Sequence, residues 1–241
     1  MIAKGGYQWH YIDGLSDDGR YGIVLIALLG SPFSPAYGRA RELASHKATS
    51  GVSLAALDYC ALNVAIYDLQ SNRARAKNAW SLRERSISEG DRSAHELQLK
   101  SSRVAWKGDA LMVDVDERTT PFGRPIRGRV TLRPEVLPAH QHILDLDGRH
   151  AWWPVAPLAK IEVDLREPDV RFVGSGYHDA NAGSVPLEAS FDTWSWARAR
   201  THGGGAHKRE KAFVTYDILD TEGRSTSVAV AMQPAMAGAQ I

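Results

Sequence analysis

The sequence predicts an all-β protein, an antiparallel barrel or sandwich. Three observations lead there. Short runs rich in Val, Ile, Tyr and Trp recur along the chain, most of them bounded by Gly, Pro, Asp or Asn. Tight-turn sequences stand between several of these runs. Helical periodicity is scarce.

In chain order, strands are expected at 7–12, 21–29, 60–67, 110–115, 126–132, 159–165, 170–173, 212–218 and 225–232. Asp17-Asp18-Gly19-Arg20 separates the first two as a hairpin turn does, and Thr221-Glu222-Gly223-Arg224 separates the last two. Lys107-Gly108-Asp109 stands between Val104-Ala105-Trp106 and Ala110-Leu111-Met112-Val113 in the same way. Residues 37–46 suit a short helix, and 78–88 read either way. The run 202–211 is a charged, glycine-rich loop by composition, without the strand-glycine-lysine pattern of a phosphate-binding loop. The tail after Gln233 has no element signal and reads as a frayed end.

A chain of 241 residues can bury a substantial core, as one large β domain or two smaller ones. With 29 basic and 28 acidic residues the net charge is +1, so no global field favours nucleic acid. The basic residues of 73–77 and 83–85 alternate with apolar and acidic ones and read as solvated surface. Cys60 is the only cysteine, which excludes an intrachain disulfide and fits a reducing compartment. It sits in an apolar run with no adjacent base, so a buried structural thiol is expected. The N-terminus carries no apolar signal-peptide core, and the longest apolar stretch, 22–29, falls short of the ~20 residues of a membrane-spanning helix. A cytoplasmic protein, soluble or peripheral to a membrane, is expected.

The most informative stretch is His150-Ala151-Trp152-Trp153-Pro154 together with Gly176-Tyr177-His178-Asp179-Ala180-Asn181-Ala182-Gly183. If both are extended, His150 and Trp152 share one face, and Tyr177 and Asp179 another. A carboxylic acid among aromatic rings and an imidazole suits proton transfer to an apolar, electron-rich substrate.

These segments resemble the carotenoid 1,2-hydratase, or hydroxyneurosporene synthase, family. The likeness begins at Gly5-Gly6-Tyr7-Gln8-Trp9-His10-Tyr11-Ile12-Asp13-Gly14 and continues through Gly30-Ser31-Pro32-Phe33-Ser34-Pro35, Cys60-Ala61-Leu62-Asn63-Val64-Ala65, Asp114-Val115-Asp116-Glu117-Arg118 and Arg127-Gly128-Arg129-Val130. The His150 and Asp179 segments and Trp194-Ser195-Trp196-Ala197-Arg198 complete it, over roughly residues 5–200 in order. The resemblance implies a lipocalin-like antiparallel fold in two tandem parts, here 1–168 and 169–241. The second part is expected to be abridged, because the chain stops soon after the Trp-Ser-Trp motif. The resemblance also implies no cofactor, an acyclic carotenoid or other isoprenoid substrate such as neurosporene or lycopene, and addition of water to its terminal double bond.

Hydrating an isolated alkene requires protonation to a tertiary carbocation, so the protein must hold a neutral carboxylic acid. Asp179 is the expected donor. Trp152 and Tyr177 offer ring faces to the cation. His150 is expected either to hydrogen-bond Asp179 and restore its proton, or to orient and deprotonate the water. The family points to the same four residues. Trp153, Trp9, Tyr11, Trp194 and Trp196 are candidate substrate contacts. Plainer readings stand beside these: Asp179 shaping a turn before Ala-Asn-Ala-Gly, Tyr177 and one of the paired tryptophans as core, and His150 at a surface strand start.

The spacing of His140 and His142 suits a strand-borne metal pair, but no third ligand is placed, and a loop is expected. Asp114, Asp116, Glu117 and Asp164 are expected to face solvent. Asp13, Asp17 and Asp18 are turn-like, although Trp9, Tyr11 and Asp13 alternate onto one face that can line a pocket mouth. An apolar rim for delivery of substrate from a membrane is expected around 23–29 and Pro32-Phe33. Two rivals remain open: a cyclase using the same acid with an alkene as the trap, and a non-catalytic lipid carrier with an exposed or ionised Asp179.

Overall fold

The computed structural model describes residues 2–45, 53–71, 77–201 and 210–234. Most of the basic run 73–77, the loop 202–209 and the tail from 235 onward lie outside them. The described residues form two antiparallel sheets and one α-helix.

The chain opens with the hairpin β1 (Tyr7–Ser16) and β2 (Tyr21–Leu29), then the helix α1 (Pro35–Ser45). Pro35 opens the helix, and the Ser34 hydroxyl accepts the amide of Tyr37 at 3.0 Å, which satisfies one of the orphan donors of its first turn. Next come β3 (Cys60–Asp68), β4 (Ala79–Ser81), β5 (Glu84–Arg85), β6 (Glu96–Leu99), β7 (Ser102–Lys107), β8 (Ala110–Arg118), β9 (Pro125–Pro134) and β10 (His142–Ile143). The long pair β11 (His150–Glu167) and β12 (Val170–Gly183) finishes the first sheet. Its order is β4-β3-β2-β1-β12-β11-β9-β8-β7-β6, so β12 returns to lie between β11 and β1. The ambiguous stretch 78–88 is therefore two short strands. Residues 168–169 fall in the turn joining β11 and β12, and the change of sheet comes between Gly183 and Phe191.

This large sheet curls on itself. Ile23, Leu25, Leu62, Val64, Leu99, Val113, Val130, Leu132 and Ile161, from strands across its width, share one buried cluster. At the far ends Arg85 on β5 donates to the Leu99 carbonyl on β6 at 2.8 Å. Its other terminal nitrogen meets Glu117 at 2.6 Å. Glu117 is buried and also accepts the Ser102 hydroxyl, which corrects its expected exposure. Alternation is the reason: Asp114 and Asp116 face outward and pair with Arg129 and Arg127, so their neighbour Glu117 must face in. Asp164 stays outside, paired with Arg171. Cys60 is fully buried, and burial pushes its thiol up to about 12.

The second sheet, β13 (Phe191–Thr201), β14 (Lys211–Asp220) and β15 (Ser225–Met232), lies against the outer face of β1, β12 and β11. Val214, Tyr216 and Ile218 of β14 join Tyr7, Trp152, Tyr177 and Phe191 in a second core cluster. β2 is consequently apolar on both faces: its odd residues fill the curl, while Ile26 and Leu28 look toward the second sheet. That double burial explains its continuous hydrophobic run. No helix of the described residues is long and apolar enough to cross a membrane.

Candidate active site

Three neighbouring strands present one face to the second sheet. β1 contributes Trp9, Tyr11 and Asp13, β12 contributes Tyr177, Asp179 and Asn181, and β11 contributes Trp152. The register sets Tyr11 opposite Asp179 and Trp152 opposite Asn181. Asp179 thus lies mid-strand, in ladder geometry, and not in the turn that its small neighbours suggest.

Asp179 is 3% exposed. One carboxyl oxygen, Oδ2, accepts both the Trp152 indole N–H at 2.9 Å and the Tyr177 hydroxyl at 2.8 Å. Its Oδ1 has no hydrogen bond among the described residues. Burial pushes the carboxyl up to about 7 against those two donors, which pull it down; Asp13 adds to the rise and Arg198 opposes it. The opposition suits an acid. Burial keeps the proton on, while the two donors are already aimed at the charge that appears when it leaves.

Asp179 forms part of the wall of a pocket of about 160 Å³ between the sheets, with Trp9, Tyr11, Ile26, Leu28, Trp196 and Tyr216 among its other walls. Phe33 and Trp194 also line it and are 59% and 45% exposed, which makes them the rim. Trp9, Tyr11, Trp194 and Trp196 thus line one pocket with Asp179. Trp196 packs against Tyr11 and Tyr177, each at 5.4 Å between ring centres. Of the expected apolar rim, Ile26, Leu28 and Phe33 reach the pocket, whereas Ile23, Leu25, Ala27 and Leu29 belong to the curl's core.

Two expectations need correction. His150 does not bond Asp179; its Nδ1 shares a 2.9 Å hydrogen bond with the Tyr7 hydroxyl, and its ring packs on Phe191. The register explains this, because His150 lies opposite Gly183, four positions beyond Asp179 on β12. A Cβ at Gly183 would fall 2.4 Å from Tyr7 Cε1 and 2.7 Å from His150 Nδ1, so glycine is what lets the pair close. Burial lowers the pKa of His150 and favours its neutral ring. Trp153, the other correction, is absent from the pocket lining. It is 41% exposed and donates to the Pro138 carbonyl, since adjacent strand residues take opposite faces.

Other residues of the site were not named from sequence as catalytic or substrate-binding. Asp13, read as turn-like or as sharing a pocket-mouth face with Trp9 and Tyr11, is buried in β1 and held by Arg198 of β13, whose Nε donates to Oδ2 at 3.0 Å and whose Nη2 donates to Oδ1. The Arg198 guanidinium lies 5.2 Å from the centre of the Tyr177 ring. Asn181 donates to the Tyr216 hydroxyl at 3.1 Å. The available signal was alternation: Tyr7-Trp9-Tyr11-Asp13, Tyr177-Asp179-Asn181 and Trp194-Trp196-Arg198 each lie two apart. Among the described residues no group of three or more His, Cys, Asp or Glu is placed to hold a metal; His142 instead packs 5.2 Å from Trp152.

Fold and site together define an antiparallel β protein with a buried carboxyl in an aromatic pocket. The chain belongs to the carotenoid hydratase family: residues 25–240 match the family described as "Carotenoid hydratase CrtC". It is 38% identical to the acyclic carotenoid 1,2-hydratase of Thiocapsa roseopersicina, over 95% of this chain and 51% of that protein. It is 39% identical to the enzyme of the same name from Rubrivivax gelatinosus, over 82% of this chain and 46% of the relative. The chain thus spans about half the length of these curated relatives. Among solved structures, "Crystal structure of CghA with Sch210972" aligns with 95% of this chain and 58% of that chain, at a TM-score of 0.49 and 10% identity.

Proposed function

We propose that the pocket at Asp179 hydrates the terminal C1=C2 double bond of an acyclic carotenoid such as neurosporene or lycopene, without a cofactor. The observation that carries this reading is the buried carboxyl with both donors on one oxygen and its other oxygen free for the proton. Asp179 passes that proton to C2, leaving a tertiary cation at C1. Water adds at C1, and the proton it sheds returns to the Asp179 carboxylate, so alkene and water give the alcohol with the acid restored. Positioned acid catalysis contributes ~10²–10⁴-fold. Rings that line the pocket, such as Trp9, Tyr11 and Trp196, stabilise a desolvated cation by up to ~2 kcal/mol each; Trp152 and Tyr177, expected in that role, lie outside the lining and serve as the two hydrogen-bond donors to Asp179.

The pocket's size supports attack at a chain end. At about 160 Å³ it is smaller than the ~300–1,000 Å³ usual for a site that encloses a whole ligand. It suits the end of a polyene better than a polyene folded for cyclisation. Burial of Asp179 also weighs against the carrier reading, which an exposed or permanently ionised carboxylate would have favoured. His150, bonded to Tyr7, supports the ring that stacks on Trp9, a wall of the pocket. The exposed Phe33 and Trp194 at the rim favour delivery of substrate from a membrane surface, to which the protein binds peripherally.

The test is to incubate the protein and its Asp179→Asn variant with detergent-dispersed lycopene and neurosporene in H₂¹⁸O. An ¹⁸O-labelled alcohol from the parent and none from the variant is the expected result. An isomer lacking oxygen would instead identify a cyclase, and binding without turnover a carrier.

A further inference from the structure

The aromatic pocket has a polar neighbour. A groove of about 660 Å³ is lined by Arg133, Glu135, Lys160, Glu162, Ser175 and Arg200, among others. The same strands run through both spaces. On β12 the residues on this face pass from Asp179 in the pocket, through Tyr177, to Ser175 in the groove. On β13 they pass from Trp196, through Arg198, to Arg200. On β1 Tyr11 lines the pocket, and Asp13 follows it. Asp13, Arg198 and Tyr177 therefore form the partition between an apolar space and a charged one, tied by the two-pronged ion pair and by the guanidinium over the ring.

We propose that Asp13 and Arg198 are a positioning pair for the acid: their ion pair closes the aromatic pocket toward the polar groove and balances the charge beside Asp179. This inference rests on the reading of Asp179 as proton donor. The groups facing Asp179 are Tyr11 and Asp13 from β1, Trp152 from β11, Tyr177 from its own strand, Arg198 from β13 and Tyr216 from β14. Asp13 and Arg198 are the ion pair among these, and they bring opposite signs. Each alone would push the acid in its own direction: Asp13 toward holding the proton, Arg198 toward releasing it. Together they leave burial in control. The Tyr11 hydroxyl, which donates to Asp13 Oδ2 at 3.1 Å, fixes the carboxylate from the pocket side.

The test reads the acid directly. The carbonyl stretch of protonated Asp179, assigned as the infrared band missing from Asp179→Asn, is titrated in the parent, Asp13→Asn, Arg198→Met and Arg198→Lys. Asp13→Asn should lower the midpoint and Arg198→Met should raise it, each by about one pH unit. Arg198→Lys, which keeps the charge, should return it toward the parent. A purely structural pair would leave the midpoint in place or move it the same way in both variants, and either result overturns the proposal. If the midpoints split as expected but no ¹⁸O enters carotene, the pair stands and the hydratase reading fails. If carotene is hydrated while every variant titrates alike, the reverse holds.

Discussion

At the scale of single residues, Asp179 carries opposing demands. A carboxyl held at about 7 when folded against 3.8 when unfolded binds its proton more tightly in the native state. Its contribution to stability is therefore greatest below the unfolded value and is lost as pH rises through the folded one, up to about 4 kcal/mol. Asp179→Asn, which cannot ionise, should unfold at a higher denaturant midpoint than the parent at pH 8.5, with the difference gone by pH 4. On the proposed reading of Asp179 as proton donor the protonated form is the working one, so kcat/KM should be flat below about pH 6 and fall tenfold per unit above about 7. A rising alkaline limb would remove Asp179 from the donor role. Trp152→Phe keeps a ring but deletes one donor from Oδ2. A drop in kcat of about 10–100-fold is expected, in line with the loss of one positioned hydrogen bond to developing charge.

At the scale of elements, the packing of β1, β12 and β11 decides what each side chain can reach. β11 and β12 show register irregularities between Trp153 and Ala159, just where Trp152 must reach Asp179. Local bends of this kind re-aim side chains next to functional sites. The end of β12 is equally constrained. Gly183→Ala would drive a methyl into Tyr7 and His150, which should destabilise the protein by about 1–3 kcal/mol, as overpacking a tight core does. Thermal or denaturant unfolding would check it, and an unchanged midpoint would show that Tyr7 and His150 can part without penalty. Alternation along β1 and β12 was legible in sequence and placed Trp9 with Tyr11 and Tyr177 with Asp179. It also carried the information that Trp153 faces away from Trp152, although the shared Trp-Trp composition suggested both as contacts.

At the scale of the whole molecule, the second sheet turns a sheet surface into a pocket. Without β13 and β14, the face bearing Tyr7, Trp152, Tyr177 and Asp179 would be wet, and the acid would lose the desolvation that keeps its proton. The rim looks outward at the opposite end from the polar groove. Replacing Phe33 and Trp194 together by Ser should lower the fraction of protein that sediments with phosphatidylcholine vesicles by about tenfold, the loss of two large apolar side chains from the interface. Asp179→Asn should sediment like the parent. If the double variant also does, delivery from the membrane does not use this rim.

The sequence by itself determined the antiparallel β class, the hairpins at Asp17-Asp18-Gly19-Arg20 and Thr221-Glu222-Gly223-Arg224, the helix after Ser34, the buried lone thiol, and the candidate acid with its aromatic company. These depend on local periodicity, turn chemistry and residue type, which a linear chain displays directly. Only the tertiary structure decided that β12 lies between β1 and β11, that Trp152 and Tyr177 share one oxygen of Asp179, that His150 belongs to Tyr7, and that Asp13 meets Arg198 across 185 positions of sequence. Alternation tells which residues share a face of one strand, but it does not say which strand lies alongside or which sheet lies opposite. Those follow from the curl of the large sheet and the docking of the second, where burial of both apolar faces is satisfied at once.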